Sequence, residues 1–375
     1  MDLLEIRDKI DVIDNELVKL FEERMSLCES VADYKIENGK EVLDRKRELE
    51  KISTVKNYAT NEFNKYSVEE LFIQIMAMSR KLQYSRLTAH GVPTNIEFTQ
   101  VKTINKENVK VVYQGVPGAY SHEAMLDYFG ENVTNTNVQT WREAMELVKS
   151  GDADYAVLPI ENSTAGMVND VYDLLVEYDN YIVDEVDVHV QHALLGLKDS
   201  SIDDIKVVYS HPQGLMQCNE FLEEHKDWQR ISQSNTALSA KKVIDENDIS
   251  IAAIASENAG KIYGLKVLKR ELVPSCNTTR FIIVSNKNIY KEDAGKIFVS
   301  FELPHKSGSL YNALSHFIYN GLNMTKIESR PLGEGNNWEY RFYVEFDGRL
   351  SDSGVKNALR GLKEEASALK IFGNY

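Results

Sequence analysis

The chain has 375 residues, of which 43% are apolar and 27% charged, and a formal net charge of −15. That length exceeds a single hydrophobic core and predicts two or three domains. The acidic balance argues against nucleic acid as a partner, because such binding needs Lys and Arg to neutralise phosphates. Small anionic ligands stay open, since a site needs only a few local cations. The cysteines, Cys28, Cys218 and Cys276, are far apart and not in metal-ligand spacing, which reads as reduced thiols in a cytoplasmic protein without a metal. The opening MDLLEIRDKI lacks the basic and apolar regions of a signal peptide. No stretch approaches the roughly 18 apolar residues that a membrane span needs.

Residues 2–36 read as one long helix, with Ile6, Ile10, Ile13, Leu17, Leu20, Leu27 and Val31 at three- and four-residue spacing and Gly39 at the stop. A second helix is predicted from Val42 to Tyr58. A third runs from Ser67 to Leu87 and opens on a capping box, Ser67-Val-Glu-Glu70. At 1.5 Å per residue the first helix is roughly 50 Å long. Two short partners cannot cover such a rod, so an intertwined homodimer, or a higher homo-oligomer, is expected.

Residues 91–108 read as a linker. From Val109 the texture alternates: VKVVYQG (109–115), DYAVLPI (154–160), KVVYSHP (206–212) and SIAAIAS (250–256) are strand-like and each leads into a helix-like segment. Parallel βα units follow from that order. YIVDEVDVHVQHALLG (181–196) reads as a crossover between two lobes, and NKNIYKEDAG (286–295) as a second linker. The remaining residues read βαββαβ, a ferredoxin-like α+β order.

On the helices, Arg24 and Lys35 are about three turns apart and share a face. Asp44, Arg47 and Glu48 cluster on helix two at i, i+3 and i+4, and Ser79 and Gln83 on helix three at i and i+4. Arg7 lies roughly 25 Å from Arg24 along the axis and on another face, so only a partner chain can bring it to the same small ligand. This set resembles the all-helical chorismate mutases. The resemblance implies that Lys35 and Gln83 face the breaking ether oxygen of chorismate. Arg24 and the other chain's Arg7 would bind carboxylates with Ser79 nearby, Arg47 and Asp44 would support the pocket, and Glu48 would bind the ring hydroxyl. A pericyclic rearrangement needs no nucleophile and no cofactor, only a held conformation and stabilised charge.

In the middle segment, polar clusters stand at strand ends, where α/β folds place ligands: GVPGAYSHEA (115–124), PIENSTAG (159–166), YSHPQ (209–213) with Gln217 beyond it, and CNTTRF (276–281). His211, beside a proline, reads as a structural turn residue, and Cys276 as packing. Together, PIEN, YSHPQ and the TRF triplet resemble prephenate dehydratases, whose fold is a two-lobed α/β, periplasmic-binding-protein-like one. The resemblance implies Thr279 as the catalytic hydroxyl, with Glu161, Asn162, Ser210 and Gln217 at the other site positions. Two departures stand in the opening turn, Val116 before the proline and Ala119 before the aromatic, so Tyr120 and Ser121 are not counted as ligand contacts.

The tail resembles an ACT-type regulatory domain. Gly308, Ser309 and Leu310 open its first helix, and Glu328-Ser329-Arg330-Pro331 matches the second ligand motif of such domains; phenylalanine is the implied effector. His305, Lys306 and Ser309 depart from the common pattern. The expected organisation is a mutase domain (1–90), a dehydratase domain (109–285) and an ACT domain (296–375). Together they would turn chorismate into prephenate and prephenate into phenylpyruvate. An arogenate-using dehydratase and a non-catalytic amino-acid sensor are the alternatives.

Overall fold

The computed structural model describes residues 2–94, 96–273, 277–332 and 339–375. They fall into two compact units: Met1–Glu97 with Gly295–Ile371, and Phe98–Ala294 with Phe372–Tyr375. Among the described residues no helix is long and apolar enough to cross a membrane.

The first unit begins with α1 (Leu3–Glu37), α2 (Arg45–Lys56) and α3 (Glu62–Ala89). α1 starts on a capping box in which the Asp2 carboxylate accepts from the Glu5 N–H and Glu5 reaches back to the Asp2 N–H. α3 starts a turn and a half before its predicted cap. Asn61 caps it by accepting from the Asn64 N–H, while Ser67 lies inside the helix and donates to the Phe63 carbonyl. The Ser67 capping box is therefore corrected: an Asx cap stood upstream, and a mid-helix serine turned back on its own backbone. α2 is also shorter than predicted, because Asp44 is its N-cap and leaves Val42 and Leu43 in the preceding loop.

The apolar stripe that defined α1 is uncovered. Ile6, Ile10, Ile13, Leu17, Leu20, Leu27 and Val31 are all exposed, Leu27 by 64%. An apolar face of that length is what the predicted second copy would cover.

The rest of this unit is a four-stranded sheet with two helices. Lys296–Leu303 pairs antiparallel with Tyr340–Asp347, which pairs antiparallel with the edge strand Met324–Pro331. Ala368–Asn374 flanks Lys296–Leu303 on the other side, and the helices are Ser309–Tyr319 and Ser353–Glu365. The strand order matches the ferredoxin-like expectation.

The second unit holds two main sheets and a two-stranded one. In one, the order is Tyr181–His189, Thr278–Ser285, Tyr155–Asn162, Lys110–Gln114, Thr134–Val138. In the other it is Lys266–Lys269, Ala193–Gly196, Ile251–Ala255, Val207–Ser210, Gln229–Ser232. The predicted βα strands pair in parallel within each sheet, and 181–196 crosses from one to the other. Each lobe has its own apolar core, built on Val111, Val157 and Ile283 in one and on Leu195, Ala253 and Ala237 in the other. The two predicted linkers are not featureless: Thr99–Val101 pairs in parallel with Ile289–Lys291.

Candidate active sites

The candidate helical site is built on the facing sides of α1 and α3. An Arg24 guanidinium N–H donates to the Ser79 hydroxyl, which itself donates to the Ile75 carbonyl at 2.8 Å. One turn on, the Gln83 amide N–H donates to the Ser79 carbonyl at 3.2 Å. Gln83 is buried and its Oε1 has no hydrogen-bond partner among the described residues. An orphaned buried amide oxygen costs about 1–3 kcal/mol unless a ligand or water meets it.

Lys35 donates to the Val42 carbonyl at 2.5 Å, which ties the end of α1 to the loop before α2. Burial depresses its pKa, against the opposing pull of the Asp44, Glu364 and Glu48 carboxylates. Asp44 accepts from the Arg47 N–H as the α2 cap, which sets the helix start. Arg47 is exposed. Glu48 is bound by Arg80, through two contacts of 2.8 and 2.6 Å to one guanidinium nitrogen. The structure thus groups Arg24, Ser79 and Gln83, places Lys35 and Asp44 at the loop, and pairs Glu48 with a residue that the sequence did not single out. Arg7 lies on the exposed N-terminal part of α1.

The second unit has a cleft of about 490 Å³ between its lobes. One wall is the strand pair in which Thr279 stands opposite Asn162. The Asn162 amide donates to Thr279 Oγ1 at 2.8 Å and to Asn277 Oδ1 at 2.7 Å. Its oxygen accepts from the Thr164 and Ala165 N–H groups at 3.0 and 2.9 Å, which fixes the amide's orientation. With Asn162 donating to it, the Thr279 hydroxyl keeps its own proton for another acceptor.

Gln217 and His192 stand on the other wall. His192 Nε2 meets Gln217 Oε1 at 3.0 Å and Nδ1 meets the Tyr120 hydroxyl at 3.0 Å. Gln217 in turn donates to Thr164 at 3.1 Å. Burial lowers the His192 pKa, partly offset by Gln217, so the imidazole is neutral near pH 7. Burial also raises the Tyr120 phenol well above its ordinary range.

Two predicted residues do not line this cleft. The Ser210 hydroxyl is fully buried and donates to the Ile254 carbonyl at 2.7 Å, tying neighbouring strands. Glu161 pairs with Arg280 at 3.0 Å; side chains alternate along a strand, so it faces away from Asn162. Three further polar residues, Tyr120, His192 and Asn277, line the cleft without having been singled out from the sequence. Tyr120 was set aside because its turn departs from the common pattern, His192 was read as part of a crossover, and Asn277 is a polar residue beside the TRF triplet. Asn277 is 1% exposed and its Nδ2 has no partner among the described residues. The visible signal was position: His192 and Asn277 each stand directly before a strand, and Tyr120 opens the helix that follows the glycine turn. His211 caps a helix by accepting from the Gln213 N–H, in line with its structural reading, and also borders the cleft. Gly118, at φ +89, is required: a Cβ there would lie 2.9 Å from Ala259 of the opposite lobe.

Cys28 and Cys218 are free thiols, and burial pushes Cys218 up to about 12; Cys276 lies outside the described residues. No cluster of His, Cys, Asp or Glu among the described residues could hold a metal ion. In the tail sheet, Gly308 is the left-handed N-cap of Ser309–Tyr319, without a side-chain cap. Leu310 lies in that helix's first turn. Glu328, Ser329, Arg330 and Pro331 occupy the end of the edge strand, opposite Tyr340 to Tyr343.

Residues 6–84 match the family chorismate mutase type II and residues 111–289 the family prephenate dehydratase. The bifunctional chorismate mutase/prephenate dehydratase of Escherichia coli is 32% identical over 382 residues, covering 100% of this chain and 96% of that protein. The solved structure of prephenate dehydratase from Arthrobacter aurescens in complex with L-Phe is 30% identical. That match covers 71% of this chain and 89% of the other, with a TM-score of 0.66. GqqA, described as a novel type of quorum-quenching acylase, is 30% identical over 70% of this chain and 96% of its own, with a TM-score of 0.65.

Proposed function

Because this chain belongs to the family of bifunctional chorismate mutase/prephenate dehydratases, we propose how its residues divide the two reactions. It converts chorismate to prephenate and prephenate to phenylpyruvate, in L-phenylalanine biosynthesis. The observation that carries the two-site reading is that each candidate site holds a buried amide atom without a hydrogen-bond partner among the described residues, Gln83 Oε1 one turn from the Ser79 that meets Arg24 and Asn277 Nδ2 in the cleft. Each is a polar group awaiting a polar ligand.

In the mutase region (1–90), Arg24 and the second chain's Arg7 hold the carboxylates, with Ser79 keeping Arg24 in place. Lys35 has three N–H donors, one of them on Val42, and turns another to the ether oxygen as the C–O bond breaks and the new C–C bond forms. Gln83 joins it with the second N–H of its amide, the first staying on the Ser79 carbonyl. Asp44 and Arg47 shape the loop and helix start, and Glu48 accepts from the ring hydroxyl. No cofactor enters either step.

In the dehydratase region (109–285), the bond to the ring carboxylate breaks, carbon dioxide leaves and its electron pair completes the aromatic ring. The ring hydroxyl departs as water with a proton passed by Thr279, which Asn162 holds as a donor. Gln217, His192 and Tyr120 form the facing wall, and Asn277 donates to substrate. Ser210 and Glu161 act as scaffold. Prephenate is the substrate because the same chain makes it.

The exposed stripe of α1 supports a homodimer that shares Arg7. Chains carrying Arg7→Ala should complement chains carrying Arg24→Ala. In a heterodimer one pocket collects both defects and the other none, so mixed samples should regain part of the mutase activity. Proven heterodimers without such recovery would rule out the shared pocket.

The tail (296–375) is proposed as an ACT-type domain that binds phenylalanine, its carboxylate on free N–H groups at the start of Ser309–Tyr319. Glu328 to Pro331 would close the site from an edge strand, across the dimer interface. The cytoplasm is the proposed compartment. A coupled assay supplied with chorismate should show phenylpyruvate formation that phenylalanine suppresses, and Glu328→Ala should weaken that suppression without lowering the uninhibited rate. No phenylpyruvate from chorismate would reject the function. Unchanged inhibition in the variant would move the effector site elsewhere.

A further inference from the structure

The last turn of the tail helix Ser353–Glu365 ends on two carboxylates, Glu364 and Glu365. A helix C-terminus carries partial negative charge, so acidic residues there are disfavoured unless cations or donors meet them. Here both are met, and by the mutase helices of the same unit. Glu365 Oε1 accepts from Arg80 Nη2 at 2.9 Å, and the other terminal nitrogen of that guanidinium holds Glu48. Arg80 is nine-tenths buried and Glu365 nearly as much. Glu364 accepts from the Leu43 N–H at 2.7 Å and from the Tyr84 hydroxyl at 2.8 Å. Its backbone carbonyl accepts from Arg45 at 2.9 Å. Leu43 follows Val42, whose carbonyl receives Lys35. Two carboxylates of the tail therefore reach, through one intermediary each, the two ends of the mutase pocket.

We propose that the tail helix is part of the mutase site's framework, with Arg80 a positioning residue that Glu365 orients so that Glu48 presents its carboxylate to the ring hydroxyl. This rests on the reading of Glu48 as a substrate-binding residue. Each partner constrains the next. Glu48 is an acidic side chain with rotamer freedom, and two contacts from one buried guanidinium nitrogen restrict it. The guanidinium is planar, and pairing its second terminal nitrogen with Glu365 sets its tilt. His316, on the helix Ser309–Tyr319, backs Glu365 with Nε2 at 3.2 Å from the same oxygen. The burial that opposes charge on Glu365 is outweighed by His316 and Arg80, which together hold its pKa below the ordinary range, so it stays an acceptor at neutral pH. In this chain the tail thereby serves the mutase step as structure, whatever it binds as effector.

The test is a double-mutant cycle on the full-length protein, reading mutase kcat and KM on chorismate, with dehydratase turnover of supplied prephenate as the check on folding. Glu365→Gln should lower mutase kcat/KM about tenfold, the size of one charge-assisted hydrogen bond lost from a positioning chain, and leave dehydratase turnover unchanged. Glu48→Gln should lower it at least as far, and the double variant no further than Glu48→Gln alone, because both changes act on one carboxylate. Arg80→Lys keeps the charge but cannot bridge both partners. It should reproduce the Glu365→Gln defect and serves as the second variant if the first folds poorly. An undiminished mutase in Glu365→Gln and Arg80→Lys, with Glu48→Gln impaired, overturns the inference and leaves the reading of Glu48 standing. Fully additive defects overturn it too, since the tail would then act by another route. Full activity in Glu48→Gln removes the reading of Glu48 and the inference with it.

Discussion

Lys35→Ala should lower mutase turnover by at least about two orders of magnitude, roughly 3 kcal/mol of barrier, and leave dehydratase turnover of supplied prephenate intact. Charge builds on the ether oxygen only as the bond breaks, so the lost donor weighs on the transition state more than on bound chorismate. kcat should therefore fall more than KM rises. The site also predicts a pH signature. The ammonium form is the active one, and burial lowers its pKa, so protonation is lost at a lower pH than for an ordinary lysine. The alkaline limb of mutase kcat/KM should bend down correspondingly early, and Lys35→Ala should show no such limb. Near-normal turnover in the alanine variant would remove Lys35 from the mechanism.

Thr279→Ala should cost the dehydratase a comparable factor, about 100- to 1,000-fold, and spare the mutase. The Asn162 amide donates to Thr279 Oγ1 at 2.8 Å, so that oxygen is already an acceptor and its hydrogen is free for the leaving hydroxyl. Thr279→Ser keeps both properties and should retain a measurable part of the rate. Single-turnover release of carbon dioxide from prephenate distinguishes the cases. Alanine as active as serine would mean that the hydroxyl has no chemical role. A mutase impaired alongside would mean that the variant is misfolded.

The local features were legible because local physics sets them. The three- and four-residue spacing of Ile6 to Val31 made α1 a helix whatever surrounds it, and the run 181–196 crosses between the two lobes in accord with its reading. Where two local rules competed, spacing alone could not decide: Ser67 and Asn61 both had capping chemistry, and Asn61 holds the helix start. Among the candidate site residues, the ones placed by backbone register were readable. Thr279 and Asn162 face each other because their strands pair. Those placed by side-chain direction were not, since one position along a strand turns Glu161 to the opposite face and into Arg280.

What the sequence determined by itself was the order of elements, the two sets of polar residues and the uncovered stripe on α1, because periodicity and strand ends are written within a few residues. What only the tertiary structure decided was which distant groups meet. Tyr120 meets His192 across 72 positions, and His192 meets Gln217 across 25. Arg80 joins Glu365 across nearly three hundred, and the N-terminal helices and the tail form one compact unit. Such meetings are chosen by burial: a guanidinium taken out of water must find its carboxylates wherever the chain brings them, and no spacing along the sequence encodes that distance.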